Sequence, residues 1–248
     1  MTAEEALARL DEFQKPTKDA TLGVRKDAVW LHIPLAVDPA SDGRWVLEIN
    51  HPDLNRIDVL LLQNGKVLQR SVLGTEVPRA QRPLPGRTPA QAFQLEAGQN
   101  YEFLLRVQTR GAMILPITFN TPTGILGRTV NEQMLQGVLT GLALCLIFYS
   151  MAQWYSLREP LFIQYALLTS GSLLYSLHFF GVGQQYLWGH SPWLTSHAVG
   201  LASLMAITGS FLFMSQALAG HNPQSRFLRT MRGGAVFTAA LAVVYPLD

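Results

Sequence analysis

The chain has 248 residues, of which 48% are hydrophobic and 15% are charged, and its formal net charge is +2. A single cysteine, Cys145, excludes a disulfide within the chain and a cysteine-based zinc site. Residues 1–132 carry 30 of the 36 Asp, Glu, Lys and Arg side chains, 15 of each sign. This balance of signs gives no reason to expect a nucleic-acid partner.

The second half of the chain is almost free of charge. Residues 161–225 form a stretch of 65 residues without an Asp, Glu, Lys or Arg. A water-soluble domain cannot leave so much of its surface uncharged, whereas a lipid bilayer favours such a stretch. The sequence therefore predicts a water-soluble front half and a membrane-embedded region over residues 133–248.

Residues 1–20 come first, and we expect a tail or a short amphipathic helix there. The segment is acidic and lacks an apolar centre, so it does not have the pattern of a signal peptide. If the front half is exported, we expect a leader that has been removed or a start further upstream.

Residues 21–122 contain short apolar segments in which alternate residues are apolar, as in Trp45, Leu47 and Ile49. An Asn-Gly turn at Asn64 and Gly65 separates two of them, which is a strong hairpin signal. The predicted strands cover residues 28–37, 44–50, 56–63, 66–72, 92–96, 101–108 and 114–119. Short strands separated by turn signals predict an all-β sandwich, with Trp30 and Trp45 in its core.

The loop over residues 75–90 reads TEVPRAQRPLPGRTPA and is rich in proline and arginine. Proline restricts the backbone, and Arg79, Arg82 and Arg87 have the chemistry to hold an anionic or hydroxyl-rich ligand. The alternative is a solvated connection whose arginines pair with nearby carboxylates. The chain has no catalytic motif and no metal-ligand spacing, so we expect no enzyme activity in this chain, no cofactor and no metal site.

Four apolar segments of the second half are predicted to span the bilayer, over residues 134–155, 161–188, 194–218 and 233–248. The last is short, so we expect a fragment of a longer protein. Arginines lie in the loops after the first and third segments, which places these loops in the cytoplasm and the front half outside. Gly137 and Gly141 form a pair that lets another helix approach.

Several motifs resemble one family when they are taken in order. They are AVWLHIPL at residues 28–35, WVLEINHPDLNRIDVLLLQNGK at 45–66, PRAQRPLPGR at 78–87, FLLRV at 103–107, ILPITF at 114–119, REPLFIQYALL at 158–168 and GVGQQYLW at 181–188. The chain resembles the 7TM receptors with diverse intracellular signalling modules (7TMR-DISM), with the second type of extracellular domain. The family usually has Leu-Asp where this chain has Leu54 and Asn55, so this chain lacks the family's carboxylate at that position.

The resemblance implies a receptor of the bacterial inner membrane. Its outer sandwich would be jelly-roll-like, similar to carbohydrate-binding modules, and would sense a small periplasmic ligand. Seven helices would relay the signal to a cytoplasmic output such as a diguanylate cyclase or a histidine kinase, and a homodimer is expected by analogy. Two other functions stay open: a transporter or channel subunit, and a membrane-anchored glycan-binding protein.

Overall fold

The computed structural model describes residues 2–15, 21–25, 27–78, 81–84, 86–218 and 226–247. The chain divides into two compact units, Met1–Arg128 and Thr129–Asp248. The first unit contains the β-strands, and the second consists of helices.

The described strands of the first unit form a sandwich. One sheet has the order β2-β7-β4-β5, a second has the order β6-β3-β9, and β1 pairs with β8. The pairings between the described strands are all antiparallel. The strand bounds are β1 Thr21–Val24, β2 Val29–Ala36, β3 Arg44–Ile49, β4 Arg56–Gln63, β5 Lys66–Leu73, β6 Ala90–Gln94, β7 Asn100–Gln108, β8 Ala112–Ile114 and β9 Ile117–Asn120.

The core of the sandwich lies between the four-stranded and the three-stranded sheets. Alternate residues of each strand enter it, as Ile57, Val59 and Leu61 do from β4, and Phe103 packs edge-on against Phe93 across the layers. The sequence-based prediction of a β-sandwich is therefore confirmed. Burial of apolar side chains in this layer is the main force that holds the two sheets together.

The predicted strand over residues 114–119 is two strands in different sheets. The break falls at Pro116, which has no backbone N–H to donate to a ladder. β8 ends at Ile114 and pairs with β1, whereas β9 begins at Ile117 and pairs with β3. Strand β1 was not predicted, because it is short and contains Gly23, which has a positive φ of 76°.

Residues 2–15, the described part of the segment expected to be a tail or a short helix, pack against the sandwich. They form helix α1, Ala3–Leu7, and a 3-10 turn, Leu10–Glu12. Ala6 is fully buried, and the segment covers Leu60, Leu62 and Leu104 on the outer face of the four-stranded sheet. Trp30 packs against this second cluster on the outer face of the four-stranded sheet, whereas Trp45 packs against the central core. The cause is register: Trp30 alternates with Val29 and Leu31, which face the core.

The helices after the sandwich are α2 Pro122–Leu157, α3 Pro160–Phe179, α4 Val182–Tyr186, α5 Pro192–Ala217 and α6 Arg226–Val244. Within the described residues, three helical segments are long and apolar enough to cross a membrane: Pro122–Leu157, Trp193–Ala217 and Arg226–Leu247. The helix predicted over residues 161–188 is interrupted, because Gly181 adopts a left-handed conformation with φ of 73° between α3 and α4. Helix α3 covers 20 residues, and a second membrane span over residues 161–188 stays a prediction.

Helices α3 and α5 approach each other closely through small residues. A Cβ added at Gly171 would lie 2.4 Å from the backbone nitrogen of Ala206, and one added at Gly209 would lie 2.5 Å from that of Leu168. By contrast, a Cβ at Gly137 or Gly141 meets nothing within 4 Å in the described part of the chain. The described helices therefore pack closely at Gly171 and Gly209, and a packing role for Gly137 and Gly141 stays a prediction.

Candidate ligand-binding site

The structure separates the arginines of the proline-rich loop. Arg79 lies outside the described residues. The Nε of Arg82 donates to the carbonyl oxygen of Val77 at 3.1 Å, so this side chain contacts the loop's own backbone. Arg87 lies near Glu48, and burial lowers the pKa of Arg87 while the Glu48 carboxylate acts in the opposite direction. A ligand-binding role for Arg82 and Arg87 stays a prediction.

Glu48 is a buried carboxylate on the outer face of the three-stranded sheet. It is 3% exposed. The hydroxyl of Thr88 donates to its Oε1 at 2.8 Å, and Arg128 of helix α2 forms an ion pair with its Oε2. A carboxylate is costly to bury unless it is paired and hydrogen-bonded. These contacts therefore bind the first turns of α2 to the sandwich.

Asn55 occupies the position where the resemblance leads one to expect an aspartate. Its Oδ1 accepts from the backbone N–H of Arg110 at 2.7 Å and from the Thr109 hydroxyl at 3.2 Å. Its Nδ2 donates to the Thr75 hydroxyl at 3.3 Å. An amide oxygen accepts these bonds as a carboxylate would, so the side chain connects three loops without carrying a charge.

A cleft of about 480 Å³ lies between the start of α1 and the outer face of the four-stranded sheet, and we call it the sheet cleft. One row of paired residues crosses its floor from strand to strand. Trp30 pairs with Arg106, Arg106 with Asp58, and Asp58 with Val72. Paired residues of antiparallel strands project from the same face, so the four side chains lie side by side.

The charges of the sheet cleft are linked through Asp58. Its Oδ1 accepts from the Nη2 of Arg56 at 2.9 Å, and its Oδ2 accepts from the Nη1 of Arg106 at 3.2 Å. The second row adds Leu60 and, opposite it on the edge strand β5, Arg70. The cleft thus combines an indole, an aliphatic floor and charged groups, which is the usual composition of a small-molecule site.

Comparison with protein-family models gives two matches. Residues 1–121 match 7TMR-DISM extracellular 2, and residues 132–248 match 7TM diverse intracellular signalling. The chain belongs to the 7TMR-DISM family. A search of the curated proteins finds no match.

The 7TMR-DISM assignment gives each half of the chain its place. The family consists of 7TM receptors with an extracellular domain and diverse intracellular signalling. The three long apolar helices lie in a membrane, and the sandwich lies outside the cytoplasm. The sheet cleft therefore belongs to the extracellular domain of a 7TMR-DISM receptor.

Sequence reasoning missed the sheet cleft. Trp30, Asp58 and Arg106 each stand between two core residues of their strand, and they lie on different strands. The available signal was the set of aromatic and charged residues at the outward positions of alternating strands. Only the register between the strands brings these residues into one row.

Proposed function

We propose that this chain is the sensory input and part of the transmembrane region of a bacterial inner-membrane receptor. The sandwich binds a small periplasmic ligand, and the membrane helices relay binding to a cytoplasmic output such as a diguanylate cyclase or a histidine kinase. By analogy with other signalling receptors, the receptor acts as a homodimer. The family supports the receptor class, and the chemistry of the sheet cleft supports its use as the ligand site.

One observation carries the relay. Helix α2 runs without interruption from Pro122 to Leu157, so the helix that pairs with Glu48 through Arg128 is also the first apolar span. A ligand changes the state of a receptor only if it binds one arrangement better than another. A ligand that moves the sheets of the sandwich would change the contact between Glu48 and Arg128. Because Arg128 lies on α2, this change would shift the position of that helix.

The relay is tested by a spin label on Cys145, which is exposed on α2. The labelled chain is placed in lipid nanodiscs, and Glu48→Gln and Arg128→Gln are compared with the parent by electron paramagnetic resonance. We expect both variants to change the mobility of the label in the same direction. The matched control is Asp42→Asn, which removes an exposed ion pair with Arg44 elsewhere on the sandwich and should leave the spectrum unchanged.

An unchanged spectrum in both variants, with the sandwich still folded by circular dichroism, would reject the relay through α2. That result would favour a second candidate, a membrane-anchored glycan-binding protein that does not signal. The outward position of Trp30 supports this candidate, because aromatic side chains on an outer sheet face provide a surface on which sugar rings stack.

A further inference from the structure

The sheet cleft carries more positive than negative charge. Its lining contains Arg70 and Arg106 against one carboxylate, Asp58. Both oxygens of Asp58 already accept from protein guanidinium groups, Oδ1 from Arg56 and Oδ2 from Arg106. The Asp58 carboxylate is therefore already paired with arginines of the protein. The two arginines and one carboxylate of the lining leave the cleft with one net positive charge.

Arg70 is the group from which that excess arises. It stands on the edge strand β5 and is exposed. Among the residues that the structure describes, the side chain of Arg70 takes part in no hydrogen bond or ion pair. A guanidinium carries five N–H donors and binds a carboxylate through two parallel hydrogen bonds. Arg70 thus has its full donor capacity available for a ligand.

Apolar side chains form much of the remaining wall of the cleft, beside Thr2 and Ser71. Leu60 forms the floor, Trp30 stands on β2 at one side, and Val72 stands on β5 at the other. The indole of Trp30 offers a large, flat surface against which the ring of a ligand can pack. The aliphatic side chains of Leu60 and Val72 would also contact this ring and displace water from it. A volume of about 480 Å³ is within the usual range for one small molecule.

We propose that the sheet cleft binds a small organic anion with a carboxylate on a ring-bearing body. The carboxylate binds Arg70, with Arg106 adding to the positive field, and the ring lies against Trp30 and Leu60. An aromatic acid and an acidic sugar share this chemistry, and the experiment distinguishes them. The inference rests on the proposed function, since it names the ligand class of the proposed sensor.

Isothermal titration calorimetry of the full chain in nanodiscs tests the ligand class with two acids and their neutral counterparts. Phenylacetate is compared with phenylacetamide, and glucuronate with glucose. We expect at least one acid to bind, and its neutral counterpart to bind about tenfold or more weakly, because a hydrogen bond between charged groups is lost. Binding of phenylacetate alone identifies an aromatic acid, and binding of glucuronate alone identifies an acidic sugar.

Variants then locate the binding. Arg70→Gln should weaken binding of the acid about tenfold or more without lowering the unfolding temperature, because Arg70 is exposed and makes no contact that the fold needs. We also expect the bound acid to change tryptophan emission, and Trp30→Phe should keep binding but abolish that change. Arg44→Gln, an exposed arginine outside the cleft, is the matched control and should bind as the parent does.

The proposal is overturned if neither acid binds, if the neutral compounds bind as tightly as the acids, or if Arg70→Gln behaves like Arg44→Gln. These results are independent of the spin label on Cys145. If an acid binds in calorimetry but the spectra of Glu48→Gln and Arg128→Gln are unchanged, the ligand class stands and the relay is rejected. If the spectra change but neither acid binds, the relay stands and the ligand class is rejected.

Discussion

At the scale of single residues, the buried polar side chains of the sandwich depend on specific hydrogen-bond partners. Glu48 is 3% exposed and Gln91 is 3% exposed, and both have a hydrogen-bonded partner, Thr88 for Glu48 and Ser71 for Gln91. Removal of a partner leaves a buried polar group without its bond, which costs more than the bond itself contributed. Changes at these positions therefore act on the fold before they act on any ligand.

Asn55 allows a test of whether its position needs a charge. Asn55→Asp should change the free energy of unfolding by less than about 1 kcal/mol, because the side-chain oxygen still accepts from Arg110 N and Thr109. Asn55→Ala removes that acceptor and should cost about 1–3 kcal/mol. Urea unfolding of the chain in detergent, followed by tryptophan fluorescence, measures both. The same changes at the exposed Asn100 serve as controls, and equal losses for Asp and Ala at position 55 would contradict the argument.

His51 makes the stability of the sandwich depend on pH. Burial lowers the pKa of His51 below its ordinary value, and Asp53 opposes this shift. The folded state thus favours the neutral ring, so its contribution is complete above pH of about 6.5 and is lost as the pH falls below that value. His51→Gln should narrow the difference in urea midpoint between pH 8 and pH 5. An identical difference in parent and variant would show that His51 does not contribute.

At the scale of elements, strands were easier to predict than the way they combine. Alternating residues such as Ile57, Val59 and Leu61 identify a half-buried strand from local sequence alone. Pairing is not local, so neither the division at Pro116 nor the row from Trp30 to Val72 was predicted. The arginines of the loop form a recognisable pattern because they are close in sequence, whereas the residues of the sheet cleft come from separate strands.

The helices follow the same rule. Apolar length predicted where helices lie, but the left-handed Gly181 and the contacts of α3 with α5 depend on three-dimensional neighbours. A glycine pair at a spacing of four, as at Gly137 and Gly141, permits close approach without requiring it. The glycines that the fold requires can be identified only from the structure, by how closely the backbone of the opposing helix approaches them.

Glycine replacement separates these two kinds of position. Gly171→Ala and Gly209→Ala should each destabilise the helical unit by about 1–3 kcal/mol, because the added methyl group meets the backbone of the opposing helix. Gly137→Ala and Gly141→Ala are matched controls with open space at the Cβ position, and they should change stability little. Thermal loss of helical circular dichroism in detergent micelles gives the comparison. Equal effects at all four positions would show that α3 and α5 are not in close contact.

At the scale of the whole molecule, one expectation concerns which ends of the helices face the cytoplasm. In a Cys145→Ser background, Gln69→Cys on the sandwich and Glu159→Cys after α2 provide one exposed thiol each. A membrane-impermeant maleimide added to intact spheroplasts should label the first and not the second, because positively charged loops stay inside. Lysis should then expose Glu159→Cys. Labelling of both before lysis would contradict the orientation.

Neighbouring residues of the sandwich strands face different environments, the central core on one side and the sheet cleft on the other. In β4, Ile57 and Val59 face the central core while Asp58 faces the sheet cleft. In β7, Leu105 and Val107 likewise face the core, and Arg106 between them faces the cleft. If the sheet cleft is the ligand site, as proposed, a mutation at an outward position would alter what the receptor recognises and leave the core untouched. Receptors of one architecture could then report different chemicals in their surroundings.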